Sequence, residues 1–121
     1  MNYRKWTLAL LFVTIFAAAQ SQNIGKTKLE WNYNGTLDNV LKAIGDDYDI
    51  HFVYDSLQLQ NIDVTYYAFE ENTLSRLFDE WKRQWNLFSY VEKNRTVLIT
   101  NKQLTHNERK ESINQLIKRE K

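Results

Sequence analysis

Apolar positions along the chain repeat with an offset of 37 residues. Thr36, Leu37, Val40, Leu41 and Ile44, running on to Tyr48 and Ile50, are echoed by Thr73, Leu74, Leu77, Phe78 and Trp81, running on to Trp85 and Leu87. In each copy a Thr stands where a helix N-cap is wanted, apolar residues follow at helical spacing, and a β-rich segment comes next. A repeat of pattern, with the residues themselves free to differ, points to a duplicated supersecondary unit.

Residues 28–33 alternate, with Leu29, Trp31 and Tyr33 opposed to Lys28, Glu30 and Asn32, which predicts a half-buried strand. Asn34 and Gly35 then predict a turn, and the first helix is expected to stop near Gly45. A second strand is predicted over 50–54, a turn of helix around Leu57 and Leu59, and a third strand over 62–66, where Ile62, Val64 and Tyr66 alternate with Asp63, Thr65 and Tyr67. Leu74, Leu77, Phe78, Trp81 and Trp85 make the stripe of the second helix, and 88–91 with 96–100 read as a hairpin. The expected fold is α+β, with duplicated βαβ units in the order βαβ-βαββ. Past Asn101 the chain turns polar, and Ile113, Leu116 and Ile117 supply only a short amphipathic stripe. Residues 102–121 are therefore expected to be a polar tail, frayed or carrying a short docking helix.

The amino terminus changes what counts as the folded protein. Arg4 and Lys5 precede an uncharged stretch from Trp6 to Ala19, and Ala17, Ala18 and Ala19 offer small residues for cleavage. This is the composition of a secretory signal peptide, expected over 1–21. The stretch is shorter than the roughly 20 residues a spanning helix needs, so no membrane span is expected after cleavage. Without Arg4 and Lys5 the 16 basic residues fall to 14 against 15 acidic ones, a net charge of −1 that argues against nucleic acid or an anionic membrane as partner. There is no Cys, which excludes both a disulfide framework and acylation at a cleavage-site Cys.

Catalytic chemistry finds no constellation to rest on, and no enzyme activity, cofactor or metal is expected. His51 and His106 are far apart in the pattern and lack a Cys or helical partner for zinc. Asp46, Asp47 and Asp49 cluster after the first helix but miss the calcium-loop spacing. Glu70 and Glu71 precede a helix, where its dipole accounts for them. Three Gly leave no phosphate cradle. Asn34-Gly35-Thr36 and Asn94-Arg95-Thr96 match the glycosylation sequon but sit in tight connections. What remains is surface: Tyr66, Tyr67 and Phe69 bring aromatics to the end of the third strand, and alternation forbids Tyr66 and Tyr67 from both facing the core.

With a leader, then Thr36-Leu37-x-x-Val40-Leu41-x-x-Ile44, Ile50-His51-Phe52-Val53-Tyr54-Asp55, Val64-Thr65, Leu74-x-x-Leu77-Phe78, Leu87-Phe88-Ser89-Tyr90 and Val97-Leu98-Ile99, residues 27–101 resemble the short N-terminal (STN) domain of secretins and TonB-dependent transducers. The C-terminal domain of FecR-type anti-sigma regulators has a related pattern. The resemblance implies two helices between a two-stranded and a three-stranded sheet. It also implies the periplasm of a Gram-negative bacterium, such as a member of the Bacteroidetes, and association with the outer membrane. Such domains work by protein contact and bring no catalytic residues. No plug, barrel or secretin ring follows 101 in this sequence, so action in trans is expected. The expected partner is a TonB-dependent receptor, a secretin-like channel or a FecR-type regulator, met through Tyr66, Tyr67 and Phe69 and through Ile113, Leu116 and Ile117. The alternative is a binder of a small ligand or cell-wall glycan.

Overall fold

The computed structural model describes residues 23–120. The leader expected at 1–21 lies outside the described residues. Both Thr caps form. The Thr36 hydroxyl accepts from the Asn39 N–H at 3.3 Å and starts α1, Leu37–Tyr48. Thr73 accepts from the Arg76 N–H at 3.4 Å and starts the equivalent helix, Leu74–Trp85. Each helix closes on a left-handed residue, Asp49 in one copy and Asn86 in the other, so the 37-residue offset holds at the C-terminal ends too.

The elements run β1, Tyr33–Thr36; α1; β2, His51–Val53; a one-turn α2, Ser56–Leu59, capped by Asp55; β3, Asp63–Tyr66; α3, Leu74–Trp85; β4, Phe88–Glu92; β5, Thr96–Thr100; and α4, His106–Glu120. β1 pairs antiparallel with β3 in a two-stranded sheet. β5 lies between β2, to which it is parallel, and β4, to which it is antiparallel. Each repeat thus sends its first strand to the small sheet and the rest to the large one. The fold is α+β, with α1 and α3 between the two sheets. Leu37, Val40, Leu41 and Ile44 from α1 meet Leu74, Leu77, Phe78 and Trp81 from α3 in one core, which Tyr33, Val64 and Tyr66 close on one side and Phe52, Val97 and Ile99 on the other. No helix among the described residues is long and apolar enough to cross a membrane.

Four sequence expectations need correction. The strand expected over 28–33 begins only at Tyr33, because the preceding segment is tied elsewhere: the Leu29 N–H donates to the Asn72 carbonyl and the Leu74 N–H to that of Thr27, with a single bridge between Lys28 and Thr73. Leu29 and Tyr33 are buried, but Trp31 is 61% exposed. Second, Asn34 and Gly35 lie within β1, where Gly35 takes φ +141°, a conformation side chains rarely adopt. Third, α1 runs past Gly45 to Tyr48, and the Gly serves a different end. The Ile50 N–H returns to the Gly45 carbonyl, and a Cβ at Gly45 would stand 2.6 Å from the Ile50 oxygen.

The fourth concerns 102–121: the helix expected there forms, but it runs 15 residues and lies against the chain's own sheet instead of ending a frayed tail. Thr105 and Glu108 make a reciprocal capping box: the Glu108 N–H donates to the Thr105 hydroxyl and the Thr105 N–H to the Glu108 carboxylate. Arg109 donates to Glu92 at 2.7 Å and lies over the Tyr90 ring at 4.9 Å, while the Tyr90 hydroxyl accepts from the Leu104 N–H. Arg119 stands 3.7 Å from Asp55. Register puts Val53, Leu98 and Tyr90 on one face of the large sheet, opposite the face that joins the helices. Val53 and Leu98 are fully buried yet stand outside the main core cluster. Leu98, Leu104 and Leu116 line one cleft, so α4 covers this second face.

Candidate protein-contact surface

The site builds from the end of the small sheet. Tyr66, the last residue of β3, pairs with Tyr33 and turns inward, as alternation from Val64 requires. Its hydroxyl donates to the Leu29 carbonyl at 2.9 Å and accepts from the Asn72 N–H at 3.1 Å. Only 2% of Tyr66 is exposed, so this sequence candidate is a buried strut that no partner can reach. Burial pushes its pKa up against the lowering effect of the Asn72 N–H, and the neighbouring Glu70 and Glu71 charges add to the rise.

One residue on, the chain faces water. Tyr67 is 47% and Phe69 80% exposed, and their rings stack with centroids 5.4 Å apart. A short 3₁₀ turn, Ala68–Glu70, holds this pair, closed by Glu71 in a left-handed conformation with φ 53°. Glutamate rarely takes that conformation, so the surrounding bonds impose it. The Ala68 N–H donates to the Asn32 side chain at 2.7 Å, which ties the turn to the segment that carries Trp31. Trp31, Tyr67 and Phe69 are three of the five large exposed apolar side chains among the described residues, and the other two, Leu57 and Val91, belong to other elements. Exposed aromatics on a fixed backbone have the composition of binding hot spots.

Tyr67 and Phe69 were legible as candidates, and Trp31 was missed because strand alternation assigned it to the core. Ile113, Leu116 and Ile117 are half-buried, and Leu116 lines the cleft over the chain's own sheet. The acidic cluster expected after the first helix lies at its end instead, Asp46 and Asp47 within the last turn of α1 and Asp49 as its cap. Asp47 accepts from the Tyr33 hydroxyl at 2.7 Å, and Asp49 is the helix cap. Burial first, then the Asp47 bond, holds the Tyr33 pKa far above its ordinary value. No three His, Cys, Asp or Glu side chains gather in a metal-holding group among the described residues. Comparison with protein-family models, curated proteins and solved structures returns no match.

Proposed function

We propose that the chain is a periplasmic protein-interaction module, similar to the short N-terminal domain of secretins and TonB-dependent transducers. It acts in trans on a TonB-dependent receptor, a secretin-like channel or a FecR-type regulator. The observation that carries this reading is the Trp31, Tyr67 and Phe69 patch, which leaves three large rings in water at the end of a two-stranded sheet. Burying such rings against a partner contributes roughly 1.5–3 kcal/mol each, and a rigid turn limits the ordering cost. The arrangement of two helices between a two-stranded and a three-stranded sheet supports the resemblance.

The test is cross-linking in the native host from a photoreactive residue at Tyr67, with mass spectrometry of the adducts and fractionation to locate the protein. A periplasmic protein joined to one of the three partner classes is the expected result. Adducts no different from those of the same photoreactive residue in a chain that also carries Trp31→Asp and Phe69→Asp would overturn the reading.

A further inference from the structure

The aromatic patch carries a chemical bias. Glu30 adjoins Trp31, and Glu70 and Glu71 follow Phe69; all three are exposed and none makes an ion pair with a Lys or Arg among the described residues. Glu70 belongs to the 3₁₀ turn that carries Phe69, and Glu71 closes that turn. Elsewhere the chain does use its carboxylates in pairs: Asp38 with Lys42, Glu80 with Arg83, Glu92 with Arg109 and Asp55 with Arg119. Exposed carboxylates next in sequence to exposed rings complement a planar cation, because a guanidinium lies on an aromatic face while its N–H groups reach a carboxylate. Arg109 already does this within the molecule, over Tyr90 and against Glu92. In the small sheet β3 has β1 as its one neighbour among the described residues, so an open strand edge leads to Tyr67.

We propose that the patch of Trp31, Tyr67 and Phe69 binds an extended, arginine-bearing segment of a partner protein, whose guanidinium groups stack on the rings and face Glu30, Glu70 and Glu71. This rests on the protein-interaction reading and gives the partner's chemistry. The preference is for cationic over acidic or neutral peptide, and it weakens with salt, since the carboxylates are exposed.

The experiment is fluorescence anisotropy on the full chain with two labelled peptides, one alternating Arg with Val and one alternating Glu with Val. The Arg peptide is expected to bind at least about tenfold more tightly, with most of the difference lost in high salt or in the E30Q/E70Q/E71Q variant. Trp31→Ala is expected to weaken it further; the side chain is largely in water, so the variant folds. Equal affinity for the two peptides, or affinity unmoved by both variants, overturns the assignment. So does capture of soluble peptidoglycan fragments on the same rings with no preference for the Arg peptide. Cross-links to a receptor, channel or regulator combined with equal peptide affinities would end the arginine assignment alone. Selective Arg-peptide binding with no cross-linked partner would end the proposed cellular role alone.

Discussion

Replacing Leu98 by Ala tests whether α4 is part of the folded core. Leu98 is fully buried, but on the face of the large sheet turned away from α1 and α3. Its cover on that side comes from the segment after Asn101, where Leu104 and Leu116 line the same cleft. In the full chain, Leu98→Ala removes a buried side chain and leaves a gap, for about 2–5 kcal/mol. In a chain that ends at Asn101, Leu98 already faces water, and the same change falls to the scale of a surface substitution, about 0.5 kcal/mol. The coupling between the two changes is then at least about 1.5 kcal/mol. Urea unfolding followed by fluorescence of the buried Trp81 measures all four chains, with Leu116→Asp as a milder way to unseat the helix. Equal costs for Leu98→Ala with and without α4 would refute the covering role.

Arg95 donates to the carbonyls of Asp49 and Tyr48, both at 2.7 Å, and so neutralises the C-terminal end of α1 from the β4–β5 turn. Arg95→Ala is expected to cost about 1–2 kcal/mol after allowance for its partial exposure. Arg95→Gly should cost less, since φ 54° suits Gly, and denaturant midpoints separate the two. Gly45→Ala should destabilise by about 1–3 kcal/mol although Ala is the better helix former, because its Cβ would meet the Ile50 carbonyl at 2.6 Å; a gain in melting temperature would refute this. Tyr33 and Tyr66 have raised folded-state pKa values, so their contribution is complete below the ordinary tyrosine pKa of 10.0 and is lost as pH rises beyond it. Tyrosinate absorbance should show Tyr33 ionising only as the protein unfolds and Tyr66 ionising later than a free tyrosine. Glu108 is the opposite case. The Thr105 N–H and hydroxyl hold its pKa below 4.5, so its hold on α4 is present above that value and is lost as pH falls through the folded pKa. Glu108→Gln should remove this part of the acid dependence of helix content.

The helices were legible because their determinants are local. A Thr cap and an apolar stripe at helical spacing sit within a few turns of each other, twice, whereas the closing residues Asp49 and Asn86 were not read. Alternation also sorted Val64 and Tyr66 from Thr65 and Tyr67 correctly. It failed at Trp31, since alternating residues in an extended segment outside a ladder are free to rotate away from the pleat. The seat of α4 was hidden because it depends on distant partners: Arg109 with Tyr90 and Glu92, and Arg119 with Asp55. Two signals were nonetheless in the sequence. Thr105 and Glu108 have capping-box spacing, and the runs Phe52-Val53 and Val97-Leu98-Ile99 are apolar at successive positions, which marks strands buried on both faces. Of the candidate site, the separation of Tyr66 from Tyr67 and the position of Phe69 were readable, but which of the two tyrosines faces the core, and the addition of Trp31, needed the register of β1 against β3.

The two copies of the repeat do not make two lobes. Among the described residues, β1 finds its one ladder partner in the other copy, at Tyr33 with Tyr66, and β2 does the same at His51 with Thr96. Neither half can be native while the other is unfolded, because its strands would then present unpaired backbone and half a core. Only the β4–β5 hairpin can pair locally; the small sheet and the β2–β5 pair need distant parts of the chain to meet, and that loop closure sets the pace of folding. A partially folded population consisting of one finished half is not available to this molecule.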